Sequence, residues 1–163
     1  TLLPNRRAAV EHLGRAWKLA AREKMPMGLM LLDVDHFKSY NDRYGHTAGD
    51  RALVDISKAL AGVLHRPMDL VARYGGEEFV AIAYGLDTAK LMALADDMRL
   101  AVSKLNLVHS GNPREGRITI SIGAMGVSPH DAGAPALAMV DSADRALYRA
   151  KEGGRNRTVL ASD

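Results

Sequence analysis

Apolar residues in this 163-residue chain recur with two different periods, and the order in which the periods alternate leaves few folds open. Short apolar runs or strict alternation mark strands, and a period of about 3.6 residues marks a helix. Leu2-Leu3-Pro4-Asn5 leads into a helix with Ala9, Leu13, Ala16, Trp17 and Ala20 on one face, ended by Met25-Pro26. Gly28 to Asp35 reads as a buried strand. Asn41 to Gly49 is polar and glycine-bearing and reads as a loop or a short turn of helix. Asp50 to Leu64 is helical, with Leu53, Ile56, Leu60 and Val63 inward. Leu70 to Tyr74 and Glu77 to Tyr84 read as strands. Gly75-Gly76 between them suits a two-residue type I′ turn, which needs positive φ at both positions. A helix over Thr88 to Leu105, a loop over His109 to Gly116 and a strand over Arg117 to Gly126 follow. Ala134 to Lys151 is a helix stopped at Gly153-Gly154, and Thr158 to Leu160 is a short final strand. Stripped of its flanks the order is strand-helix-strand-strand-helix-strand. That order predicts an α+β, ferredoxin-like fold, a mainly antiparallel sheet flanked by helices.

The fold hosts many functions, so function has to come from particular side chains. Composition removes some classes. Cysteine is absent, which excludes a disulfide scaffold, a thiolate nucleophile and cysteine-ligated zinc. Lysine and arginine total 22 against 19 acids, a net charge of +3. That mild excess permits a phosphate-bearing ligand without arguing for nucleic acid. No apolar run approaches the ~18 residues of a membrane span, and the N-terminus has no signal-peptide pattern. The length suits a single domain over residues 1–163. The chain opens at Thr1 without a methionine, so it is expected to be a domain cut from a longer protein.

Carboxylates gather at the polar end of the predicted sheet. Asp33 and Asp35 end the first strand on one face, because strand side chains alternate. Glu77 and Glu78 follow the hairpin glycines. Either pair alone is compatible with a solvated strand end. If the first strand lies beside the hairpin, Asp33 and Glu77 meet, and clustered carboxylates need a positive partner. A hard divalent cation answers that need, since Mg²⁺ takes one or two carboxylates plus substrate phosphates. Lys38, Lys151 and Arg155 add cations that suit a polyphosphate. Lys151 at a helix C-terminus is equally compatible with pairing to the helix dipole.

With these residues in place, the sequence resembles the GGDEF family of diguanylate cyclases. Arg73-Tyr74-Gly75-Gly76-Glu77-Glu78-Phe79 is the GGEEF form of its signature. Asp33-Val34-Asp35-His36-Phe37-Lys38 resembles the family's D-x-D-x-F-K block. Asn41 to Asp50 resembles N-D-x-x-G-H-x-x-G-D. Thr119 to Gly123, Ala143 to Lys151 and Pro4-Asn5-Arg6-Arg7 match further blocks, in order along nearly the whole chain. The resemblance implies a nucleotidyl-cyclase-like version of the fold. It also implies condensation of two GTP into cyclic di-GMP with release of two pyrophosphates, across a homodimer of facing domains.

The same resemblance assigns roles. Asp33, the Val34 carbonyl and Glu77 would hold Mg²⁺, and Glu78 a second ion, with Mn²⁺ as a substitute. Glu77 would also take the 3′-hydroxyl proton, and Lys38 would stabilise charge on the phosphates. Gly75 and Gly76 would let the backbone approach the nucleotide, and Lys151 and Arg155 would grip its terminal phosphates. Asn41 and Asp50 would read guanine, and His46 would lie near the nucleotide. Arg66-Pro67-Met68-Asp69 matches the family's R-x-x-D inhibitory motif, which binds product. Arg99 would add a contact to product held by a neighbouring domain. A cytoplasmic location is expected for the domain, with no membrane contact from this segment, whatever anchor precedes it.

Two other readings compete. A silent sensor of cyclic di-GMP would carry a degraded signature, whereas Asp33, Lys38, Asn41, Asp50 and Glu77 are all present here. A nucleic-acid-binding domain of similar fold is disfavoured by the low charge and an aromatic content of only 5%.

Overall fold

The computed structural model describes residues 3–129 and 136–162. Helix α1 (Arg6–Glu23) precedes strand β1 (Met27–Val34), and the short helix α2 (Phe37–Tyr44) leads into α3 (His46–Val63). Strands β2 (Leu70–Arg73) and β3 (Glu78–Tyr84) form a hairpin, followed by α4 (Thr88–Ser103) and β4 (Ile120–Val127). Helix α5 (Ala138–Glu152) and strand β5 (Thr158–Leu160) complete the chain. The sheet order is β2-β3-β1-β4-β5. Every pairing is antiparallel except β4 with β5, which is parallel. This is the expected α+β arrangement with one added edge strand.

β1 is the middle strand and is buried along its whole length. Its even-numbered residues Met30 and Leu32 pack with Ile56 and Leu60 of α3 and Leu91 and Met98 of α4. Leu29 and Leu31 pack on the opposite face with Leu13, Ala16 and Ala20 of α1 and Met139 and Leu147 of α5. Two covered faces explain why β1 is continuously apolar until the sheet's edge, where its side chains turn acidic. Asn5 caps α1 by accepting from the Ala8 amide at 2.9 Å, and Asp87 caps α4 by accepting from the Lys90 amide at 2.9 Å.

Several local expectations need correction. Asn41 to Gly49, read as a loop or a short turn of helix, is helical to a greater extent: it holds the end of α2 and the start of α3, broken only at Gly45, whose φ is 90°. Phe37 and Tyr40 supply the buried face that makes α2 a helix despite its polar composition. The hairpin is not a two-residue type I′ turn. Residues 74–77 form the connection, and neither Gly75 nor Gly76 has positive φ. The Arg73 side chain explains the wider loop, since its guanidinium donates to Gly75 O at 3.2 Å and to Gly76 O at 2.6 Å. The strand expected from Arg117 begins at Ile120, with Arg117 in an isolated bridge to Val108. The last long helix starts at Ala138, and the start expected at Ala134 lies outside the described residues.

Candidate active site

The end of β1 delivers its acids into a junction between β3 and β4. Asp33 lies opposite Glu78 in the ladder, and the Val34 amide donates to Glu77 O at 3.2 Å. The hairpin acids are thereby held beside Asp33. Lys151, from the last turn of α5, donates Nζ to Asp33 Oδ2 at 2.8 Å. Burial raises the Asp33 pKa, the Lys151 hydrogen bond and charge pull it back, and the charges of Glu77 and Glu78 push it up again. Burial leads that net rise, and the one lysine offsets it only in part. Among the described residues no three acidic or histidine side chains close on one point. The carboxylates that act on one another here are those of Asp33, Glu77 and Glu78. Those are hard oxygen ligands, few enough to leave positions for phosphate, which fits a Mg²⁺-like ion.

Asp35 is as buried as Asp33 but is spent on structure. Its carboxylate accepts from Thr119 Oγ1 at 2.7 Å, Ser121 Oγ at 2.6 Å and the Asn156 amide at 3.0 Å. It ties β4 and the segment after α5 to the end of β1. Lys38 stands on the first turn of α2, almost fully exposed, with Asp42 Oδ2 3.9 Å away. It lines a cavity of about 570 Å³ with His36, Ser39, Asp42 and Arg43. His36 precedes α2 with a left-handed φ of 53°, and no side chain caps the helix.

Asn41 carries a different signal. Its Oδ1 is buried and has no hydrogen-bond partner. An orphaned acceptor costs about 1–3 kcal/mol, so it marks a place where a donor belongs. Gly49 backs it from α3: a Cβ there would run into Asn41 Oδ1. Asp50, the next residue, is exposed on the same helix. Both candidate base readers thus sit at the α2–α3 junction. His46 is exposed at the first position of α3. Glu77 is half-buried and Glu78 exposed, and a Cβ on Gly76 would meet only open space. Arg155 is exposed with a left-handed φ of 63°. The His36 pKa is lowered, first by burial and then by the Arg155 charge, which puts the two groups near each other.

Sequence reasoning missed His109. It is fully buried, donates Nε2 to His36 O at 2.9 Å, and accepts at Nδ1 from the Gly111 amide at 3.2 Å. Its ring stands edge-on to Tyr40, 5.2 Å between centroids. His109 therefore braces the turn between the acids and α2. A single histidine in a polar loop gave no periodic signal by which to find it.

The R-x-x-D turn is formed on the far side of the hairpin. Arg66 donates through Nε and Nη2 to both Asp69 oxygens at 3.1 Å, and Tyr84 N donates to Asp69 Oδ1 at 3.1 Å. Arg66 also reaches Tyr84 O. The Asp69 side chain is buried while Arg66 stays 41% exposed, its Nη1 outside these bonds. His12 of α1 bonds Met68 O at 2.8 Å and steadies the turn. The structure does not bring Arg99 to this turn. Its guanidinium is spent on Asp96 at 2.8 Å and Asn156 at 3.0 Å and is only 18% exposed.

Comparison with known proteins follows the same outline. The family profile described as "Diguanylate cyclase, GGDEF domain" matches residues 1–157. Diguanylate cyclase A of Treponema denticola is 35% identical over 145 residues, covering 88% of this chain and 38% of that protein. Diguanylate cyclase DgcP of Pseudomonas aeruginosa is 38% identical over 164 residues, covering 99% of this chain and 23% of that protein. The chain thus spans well under half of these curated relatives. The GGDEF domain of DgcB from Caulobacter crescentus, solved in complex with c-di-GMP, superposes with a TM-score of 0.89 at 34% identity, over 100% of this chain and 94% of that one. The active GGEEF domain of a Vibrio cholerae diguanylate cyclase gives 0.84 at 27% identity, over 99% of each chain.

Proposed function

The chain belongs to the GGDEF diguanylate cyclase family, and from that premise we propose that it is itself an active cyclase, condensing two GTP into cyclic di-GMP and two pyrophosphates. The observation that carries the reading is the junction of Asp33 with the hairpin acids and the one lysine bonded to it. Two Mg²⁺ ions, or Mn²⁺ in their place, would be held by Asp33, the Val34 carbonyl and Glu77, and by Glu78. When bound they would neutralise the phosphates for an in-line displacement.

The chain's own residues do the rest. The 3′-oxygen of one GTP bonds to the α-phosphorus of the other as the bond to the β-phosphate oxygen breaks, and Glu77 takes the hydroxyl proton. Lys38, the free amides of α2 and Arg155 receive the phosphates. Lys151 would leave Asp33 to hold a terminal phosphate. Asn41 Oδ1 and the Asp50 carboxylate accept from guanine N–H groups, which adenine does not offer in that pattern. The wide loop at Gly75 and Gly76 leaves room for the nucleotide, and His46 lies at the same junction as the base readers. Each domain holds one GTP, so catalysis requires a homodimer of facing domains. Arg66 and Asp69 form a product-inhibition site, supported by the half-free guanidinium and by the c-di-GMP complex of the similar DgcB domain. Arginine's fork takes guanine O6 and N7 together, or a phosphate. Arg99 enters this site only by leaving Asp96 and Asn156.

The test is to incubate the chain with Mg²⁺ and GTP, then ATP, and follow pyrophosphate and cyclic product. Cyclic di-GMP from GTP alone is expected. Turnover of ATP at a matching rate, or none of GTP at any protein concentration, overturns the reading.

A further inference from the structure

Beyond Arg155 lies a second cleft of about 400 Å³, lined by His36, Asn112, Arg114, Glu115, Glu152 and Arg155 among others. Two guanidinium groups, those of Arg114 in the lining and Arg157 next to it, meet over Gly154. Arg114 Nη1 stands 3.5 Å from Gly154 O. Arg157 folds back over the same glycines, its Nε donating to Arg155 O at 3.0 Å. Gly154 has φ +119°, and a Cβ there would collide with the Arg114 guanidinium and lie 2.6 Å from Arg157 Nη2. Glycine is what lets the two guanidiniums close over this turn. Glu115 and Glu152 line the cleft too, yet among the described residues no carboxylate lies within 4.0 Å of Arg114, Arg155 or Arg157. The Arg114 and Arg157 guanidiniums, brought together over Gly154, can take an anion between them. The planar forks suit phosphate oxygens in pairs.

We propose that this cleft is a pyrophosphate site, distinct from the place where Lys151 and Arg155 hold the intact triphosphate, with Arg114 and Arg157 as its gripping residues. The inference rests on the cyclase reading, which supplies pyrophosphate as the leaving group. Arg155 borders both places, so the freed diphosphate has a continuous cationic path out of the catalytic junction. The loop carrying Arg114 is rigid: Asn112 Oδ1 accepts from the Arg114 and Glu115 amides at 3.3 Å, and Asn112 Nδ2 donates to Arg117 O at 2.9 Å.

Calorimetric titration of the whole chain tests this without relying on turnover. Magnesium pyrophosphate is one ligand. The other is 3′-deoxyguanosine triphosphate, which lacks the attacking hydroxyl. Arg114→Ala and Arg157→Ala are each expected to weaken pyrophosphate binding about fivefold or more, while the triphosphate changes less than about twofold, and Arg114→Lys restores part of the loss. Unchanged pyrophosphate affinity in both alanine variants overturns the proposal. So does an equal loss for both ligands, because the arginines would then belong to the triphosphate site. Failure of the cyclase reading is visible separately, as absence of cyclic product from GTP with the wild-type chain.

Discussion

Asp33 shows how a single residue is asked to serve two ends. Its carboxyl titrates above the ordinary range in the folded chain, chiefly through burial. The folded state therefore holds that proton more tightly than the unfolded one. The associated stability is present in full below the unfolded value of about 4 and is lost as pH rises through the raised folded value. Asp33→Asn cannot ionise, so its thermal midpoint is expected to gain on wild type as pH climbs above about 4, in melts without divalent cation. The same variant should lose about 100-fold or more of any cyclase activity. A variant less stable than wild type at neutral pH would contradict this account of Asp33. Gly49 is the second telling position. Gly49→Ala pushes a methyl into Asn41 Oδ1, so it should weaken GTP binding by about tenfold, the worth of one lost base contact. Equal binding of GTP by variant and wild type would clear Asn41 of base reading.

At the scale of elements, the turn from β1 into α2 depends on a histidine from another part of the chain. His109→Ala leaves His36 O and the Gly111 amide without their partner. It should cost about 1–3 kcal/mol of stability, read from denaturant unfolding. It should also raise the KM for GTP more than it lowers kcat, because it disturbs the phosphate-facing end of α2. Restoration of KM by His109→Gln would separate bracing from bulk packing. The element pattern was largely legible because β1, β3 and the four long helices are built on apolar periodicity, and Asp33, Glu77 and Asp50 stand at or near their ends. What was not legible has physical causes. α2 is too polar for its period to stand out, and only Phe37 and Tyr40 reveal a buried face once the fold is known. The glycine pair implied a tight turn, but Arg73 bonds to the loop carbonyls and holds it wider. His109 and the Arg114–Gly154 contact join segments far apart in sequence, which no local pattern encodes.

The acid junction and the R-x-x-D turn are held by one sheet. The acids lie where β1 meets β3, and the R-x-x-D turn is fastened to Tyr84 at the other end of β3. Arg66→Ala should weaken inhibition by added cyclic di-GMP about tenfold or more, measured as initial rate against product concentration. Under the proposed reaction each domain holds one GTP and needs a second copy, so specific activity should rise with protein concentration. Underneath these expectations lies one claim, that Asp33 and Glu77 share a cation beside a guanine nucleotide. Electron paramagnetic resonance of Mn²⁺, titrated with 3′-deoxyguanosine triphosphate present, measures it directly. The expected result is nucleotide-dependent Mn²⁺ binding that Asp33→Asn and Glu77→Gln each weaken strongly, with the double variant little worse than either. Binding of Mn²⁺ by Glu77→Gln with wild-type affinity would contradict the shared site.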